Sequence, residues 1–273
     1  MRPAWGWKPG VVTALLSVGL AALGTSQAAA QSEPPPGSIA MRWNLCYGEG
    51  GAAARTFACN TNTGVEMLVI SAFPPANLPQ LNGAEVLVTL LSPGFTLPSW
   101  WQIGTGFCRT STVVQGEFVP PSGPETCGDP WLNAGLGAVT YQYGSEGANI
   151  ARLRSAYGIN PPVAVTSGNE IFVCSFRILH QKTTGAGSCS GCSSGVCLGL
   201  QSVYLTQPAG VGNYFMIMPL PGTSSDVVTW QEDLVMPSSV YIYRSAWRKD
   251  FTGCVSTTEA ARPTWGAIKR LYR

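Results

Sequence analysis

Three cysteines fall within nine positions of the segment GSCSGCSSGVC, Gly187 to Cys197, separated only by glycine, serine and one valine. Several chemistries use cysteines at such spacing. A structural zinc site needs four ligands, and its strong signature is two separated C-x-x-C pairs. Here only Cys189 and Cys192 form such a pair, and Cys197, Cys174 or His180 would have to complete it. A dithiol redox centre wants its second cysteine at the start of a helix, whereas the following SSGVCLGLQSVYL is glycine-rich and strand-like. A nucleophile elbow matches twice, over residues 187–191 and 191–195. That chemistry needs a strand before, a helix after and a downstream histidine as base, but the single histidine, His180, lies upstream. What remains is a turn pinned by disulfides.

His180 reads as a partly exposed polar residue beside Lys182. With no second histidine, metal-assisted hydrolysis and imidazole acid–base mechanisms lose their commonest participants. Carboxylate pairs could be drawn from Glu117, Glu125, Asp129, Glu146, Glu232 and Asp233. Glycoside hydrolysis needs two of them facing each other across a sugar, and the sequence sets no such pair. Neither a metal nor a cofactor is expected, and no catalytic residue is assigned. The aromatic residues Trp100, Trp101, Trp131, Tyr141 and Tyr143 suit binding instead. Such rings offer sugars or a partner's side chains a large contact area with a polar handle. Their competing reading is core, and strand alternation would admit only one of Trp100 and Trp101 to the interior.

The compartment follows from the N-terminus. Arg2 and Lys8 precede an apolar run, VVTALLSVGLAALG, and then the small-residue stretch TSQAAAQS. That is the layout of a secretory signal peptide over residues 1–30. No later stretch approaches the roughly 20 apolar residues of a membrane span, so the mature chain is expected to be exported with no integral span, to an extracellular, periplasmic or surface location. Removing Arg2 and Lys8 from the 16 basic residues leaves 14, against 14 acidic residues. A neutral chain has no electrostatic reason to bind nucleic acid. Its charge is nonetheless uneven, since Arg262, Lys269, Arg270 and Arg273 crowd the last twelve residues.

Charged residues are 11% and hydrophobic residues 45% of the chain, a composition that builds a core with many turns. Ile39, Met41, Trp43 and Leu45 alternate with small or polar residues, the period-two pattern of a half-buried strand. Comparable runs cover residues 65–73, 84–91, 111–118, 138–143, 170–179, 197–207, 213–218 and 226–231. Gly, Pro, Asn and Ser separate most of them. Only residues 149–157 and the extreme C-terminus read as helical. The expectation is an all-β chain, a two-sheet sandwich of jelly-roll or immunoglobulin-like topology with disulfide-pinned loops. It would span residues 31–237, followed over 238–273 by a strand-like segment, a polar loop and a basic tail. In an exported protein the cysteines pair by default. Spacing suggests Cys46 with Cys59 and Cys108 with Cys127, while Cys189, Cys192, Cys197 and Cys254 are further candidates of open connectivity. Nine cysteines leave at least one unpaired.

The phrases MRWNLCYGEGGAAARTFACNTNTG, LPSWWQIGTGFCRTS, CGDPW, KTTGAGSCSGCSSGVCLGLQSVYL, VTWQ and the closing TWGAIKRLYR together resemble a group of uncharacterised exported bacterial proteins. The resemblance covers nearly the whole mature chain. It implies export, disulfides and a single module, and it lends no catalytic residue. Cys174 departs from the group's pattern, which makes it the candidate free thiol. Two functional classes stand: a non-catalytic secreted or cell-envelope binding module for carbohydrate or another partner, and a structural component docked on an envelope protein through its tail. In that tail Trp265, Ile268 and Tyr272 share one face at helical spacing while Lys269 and Arg270 supply charge, as in a short amphipathic helix.

Overall fold

A computed structural model describes residues 37–121, 127–132, 134–231, 234–235, 241–245, 248–251 and 254–256. Residues Glu33–Arg273 belong to one compact unit. The expected signal peptide and the tail residues Trp265, Ile268, Lys269, Arg270 and Tyr272 lie outside the described residues. Among the described residues the only helices are two three-residue 3-10 turns, Ser99–Trp101 and Ser111–Val113. None is long and apolar enough to cross a membrane.

Strands β1 (Ser38–Trp43), β2 (Ala54–Arg55), β3 (Val65–Phe73), β4 (Leu78–Leu91), β5 (Val114–Glu117), β6 (Leu136–Tyr143), β7 (Ile150–Val165) and β8 (Ile171–Leu179) come first. They are followed by β9 (Val196–Thr206), β10 (Tyr214–Met216), β11 (Met218–Pro219) and β12 (Val227–Trp230). Four short strands close the described chain: β13 (Leu234–Val235), β14 (Tyr241–Ser245), β15 (Arg248–Phe251) and β16 (Val255–Ser256). One sheet has five strands in the order β11-β1-β3-β8-β5. The other has seven, in the order β2-β12-β9-β4-β7-β6 with β10 also on β9. The short pairs β13-β16 and β14-β15 are hydrogen-bonded to neither sheet among the described residues.

Alternation explains why these sheets share one core. Ile39, Met41 and Trp43 of β1 meet Leu68, Ile70, Phe172, Phe176 and Ile178 of the five-stranded sheet. Val86, Val88 and Leu90 of β4, Leu153 of β7 and Leu198, Leu200 and Val203 of β9 enter the same core from the seven-stranded sheet. Each fully buried aliphatic or aromatic side chain of this kind stabilises the fold by about 1.5–3 kcal/mol.

Residues 149–157 are not a helix but the start of β7. Ile150, Leu153 and Tyr157 fit a helical period, yet Ala151, Leu153, Ser155 and Tyr157 are buried while Arg154 and Ala156 are exposed. Both periods fit the segment, and pairing on two sides, with β4 and with β6, selects the strand. The stretch 111–118 likewise begins as a 3-10 turn before entering β5.

Eight cysteines form four disulfides: Cys46–Cys127, Cys59–Cys192, Cys108–Cys189 and Cys197–Cys254. The pairings expected from spacing, Cys46 with Cys59 and Cys108 with Cys127, are both replaced. The reason is topological. Between Cys46 and Cys59 the chain crosses sheets, because β2 pairs with β12 of the seven-stranded sheet while β1 stays in the other. Cys59 thereby reaches Cys192, and Cys46 is left to the segment before β6. The three cysteines of GSCSGCSSGVC reach Cys108, Cys59 and Cys254, so the segment is a hub joining three distant loops. Cys174 alone keeps a free thiol, buried in β8.

Candidate functional site

The tryptophans expected to form a platform are interior. Trp100, Trp101 and Trp131 are each 0% exposed. Trp100 and Trp101 both turn inward because they sit in a 3-10 turn, where strand alternation does not apply. They meet edge to face at 4.9 Å, and Trp100 stacks on Trp230 at 5.2 Å. Trp100 Nε1 donates to Thr183 Oγ1 at 3.0 Å, and Trp131 Nε1 donates to the Val173 carbonyl at 2.9 Å. Tyr141 donates its hydroxyl to the Trp101 carbonyl, and burial holds its phenol well above the ordinary value. Tyr143 donates to the Ala148 carbonyl at 2.9 Å and meets Phe107 edge to face. The three tryptophans are packed in the core and cannot form an exposed platform, while Tyr141 and Tyr143 are partly buried and bonded to backbone carbonyls.

Two polar arrangements that sequence reading missed belong to the same interior. Arg109, fully buried, lies 3.6 Å over the Trp100 ring and donates to the carbonyls of Trp100 and Leu179. Burial pushes its guanidinium down to about 9, against which the nearby Tyr141 acts weakly. His180 is buried rather than partly exposed. Its Nδ1 is 2.9 Å from the Thr63 carbonyl and its Nε2 is 3.1 Å from Glu66 Oε1, while its ring stacks on Phe57. Arg55 bonds the other Glu66 oxygen, so that the carboxylate joins Arg55 and His180. The imidazole's two nitrogens thus face a backbone carbonyl and a carboxylate, an arrangement that ties the segment before β3 to the end of β8.

Of the carboxylates singled out from the sequence, Glu117 pairs with Arg177 at 3.7 Å, Glu146 pairs with Arg152, and Asp129 caps the Trp131 amide. Glu125, Glu232 and Asp233 lie outside the described residues. A further carboxylate, Glu170, accepts hydrogen bonds from Ser71 Oγ and from the amides of Tyr47 and Gly48. Its oxygens approach the Cys46 and Cys127 sulfurs. Those sulfurs are joined in a disulfide, which leaves no thiolate to bind a metal there.

The open chemistry lies on the other face of the seven-stranded sheet. Where β4, β7 and β9 run side by side, residues between the core positions point outward. Register aligns them in rungs. Phe215, Tyr204, Glu85, Ala156 and Ala138 form one, and Ser202, Leu87, Arg154 and Thr140 form the next. The small residues Ala138, Ala156 and Ser202 sit low between longer side chains, and the result is a groove of about 580 Å³. Tyr204 and Phe215 flank one end with ring centroids 6.1 Å apart. Asn213 Nδ2 donates to the Tyr204 hydroxyl at 2.7 Å, and its Oδ1 receives the Gln207 amide at 2.8 Å, so a loop braces the aromatic end. Neither Glu85 nor Arg154 makes an ion pair among the described residues. At the opposite end Arg152, on the next rung beside Thr89 and Gln142, is held by Glu146.

The same face is apolar elsewhere, and there it is covered. Leu91, Cys197 and Val227 form a second small core with Cys254, packed against Ile150 and Leu234. The disulfide Cys197–Cys254 fastens the C-terminal segment over them. The chain therefore buries the greasy part of the face and leaves open the part that carries rings, hydroxyls and two unpaired charges.

No family model matches the chain, and no curated protein does. Among solved structures, the human F-spondin reeler domain is similar at 14% identity, covering 71% of this chain and 87% of that one, with a TM-score of 0.21. A likeness of that degree carries no argument about function.

Proposed function

We propose that the chain is an exported, non-catalytic module that binds carbohydrate in the groove outside the seven-stranded sheet. The observation that carries this reading is the meeting of Tyr204 and Phe215 with Thr140, Ser202, Glu85 and Arg154 in one open trough. Rings contact the apolar faces of pyranoses, and paired donors and acceptors meet their hydroxyls. A mostly apolar concavity with a few convergent polar groups is the general form of a small-ligand site. Among its lining residues Glu85 is the single carboxyl. Glycoside hydrolysis uses two, so the reading is retention of a glycan rather than its cleavage. Four disulfides accord with folding in an oxidising compartment, which supports export.

The test is affinity electrophoresis of the purified chain against soluble polysaccharides of differing charge and linkage. At least one should retard it, and Tyr204→Ala, Phe215→Ala and Arg154→Ala should each weaken retardation about tenfold, near 1.4 kcal/mol. Thermal stability should hardly change, because these side chains lie outside the core. Retention that survives all three substitutions, or no retention by any glycan, would overturn the proposal.

A further inference from the structure

The outward side chains that line the groove belong to five strands but to only two rungs. Five strands at a spacing of about 4.8 Å span about 19 Å, whereas two neighbouring rungs lie about 7 Å apart along the strands. The long axis therefore crosses the sheet. It runs from β10 to β6, and among the described residues each of these has one hydrogen-bonded neighbour in the sheet, β9 and β7 respectively. Both ends of the groove are thus sheet edges. At the β6 end the last side chains are Ala138 and Thr140, both short and both exposed, and neither forms a wall. At the other end Phe215 lines the groove from the outermost strand itself.

We infer that the groove holds the interior of a linear polysaccharide, laid across the strands at about one sugar unit per strand, and not a free sugar or a chain end. This rests on the glycan reading and specifies which part of a glycan is taken. The binding groups are strung out along the axis, with rings on β9 and β10, Glu85 on β4, Arg154 on β7 and Thr140 on β6. From Ser202 on β9 to Thr140 on β6 is three strand spacings, about 14 Å. One pyranose meets only part of that set. A chain end, in turn, is recognised by a barrier that stops the polymer, and here both ends open over sheet edges.

The direction of the groove also separates a glycan from a peptide. An extended peptide draws its affinity from main-chain hydrogen bonds to a free sheet edge, but β9, β4 and β7 already have neighbours on both sides. A peptide lying across them would meet side chains alone and leave its own amides unmatched. An extended glycan advances by about one strand spacing per unit and binds through hydroxyls and ring faces. It needs no free backbone.

The probes are oligomers of one to eight units cut from whichever polysaccharide retards the chain in affinity electrophoresis, titrated calorimetrically against the oxidised full chain. Affinity should climb about tenfold or more between dimer and pentamer and then level off. Longer linear fractions of the same polymer should carry more copies of the protein, counted by sedimentation velocity, because interior sites multiply with length and chain ends do not. Ala138→Trp, at an exposed position of the β6 end, should bring the pentamer down towards the affinity of the trimer with the melting temperature unchanged. Full affinity already at the mono- or disaccharide, or one copy per chain whatever its length, would overturn the inference and leave the glycan reading standing. Retardation by no polysaccharide would overturn the glycan reading itself.

Discussion

Burial pushes the Cys174 thiol up to about 12, with a hydrogen bond involving Ser155 acting in the opposite direction. Thiolate is the reactive form, so the folded chain should resist iodoacetamide at neutral pH. After unfolding without reductant it should take up one label, at Cys174, and any label on the native chain would contradict the burial. Glu170 makes a pH prediction. Desolvation raises its carboxyl above the ordinary value, against the hydrogen bonds from Ser71, Gly48 and Tyr47. The folded state then holds a proton that the unfolded state has already released, and stability falls as pH rises through the window from the ordinary carboxylate value up to the raised one. The melting temperature of Glu170→Gln minus that of wild type should therefore rise as pH is raised from about 4 to 7; a difference that falls or stays flat would show the carboxylate to be stabilising. At the aromatic cluster, Trp100→Ala removes a fully buried ring and uncovers the Arg109 guanidinium. It should cost about 3–5 kcal/mol in chemical denaturation, where a ligand platform would lose almost nothing.

Element by element, the legible part of the fold was the part in which local pattern and tertiary role agree. VEMLVISAF reads as a strand over residues 65–73, and β3 has those bounds, because its neighbours on both sides bury what its pattern offers. The start of β7 fits two periods, and only its partners choose between them. The disulfides were legible as a class and illegible as pairs, since the detour of β2 to the far sheet separates Cys46 from Cys59 and no local spacing records it. The expectation that only one of Trp100 and Trp101 is interior fails for a related reason, namely that a 3-10 turn suspends alternation. The groove left a fainter signal. Tyr204 lies between the buried Val203 and Leu205 in a run otherwise suited to burial, and such an outward ring on a central strand could have been singled out. Non-reducing peptide mapping should recover Cys59 linked to Cys192 and Cys108 linked to Cys189. Replacing either pair by serine should cost about 2–5 kcal/mol, given the long loops they close. Recovery of Cys46 linked to Cys59 would contradict the sheet crossing.

On the scale of the whole molecule, the C-terminal segment separates the two functional classes that the sequence leaves open. Its described part is fastened to the seven-stranded sheet by Cys197–Cys254 and covers the apolar end of the outer face. The named lining residues of the groove all belong to β4, β6, β7, β9 and β10. Deleting residues 262–273 should therefore leave polysaccharide retention unchanged, and loss of localisation with retention intact would favour docking through the tail. The central claim is that ligand is held on the open rungs of β9, β4, β7 and β6. Titration of the isotopically labelled chain with a polysaccharide fragment that retards it, followed through amide and side-chain shifts, tests it most directly. The account predicts saturable shifts concentrated at Tyr204, Phe215, Glu85, Arg154 and Thr140, with the indoles of Trp100, Trp101 and Trp131 unmoved. Shifts centred on those indoles or on the tail, with the rungs silent, would contradict it.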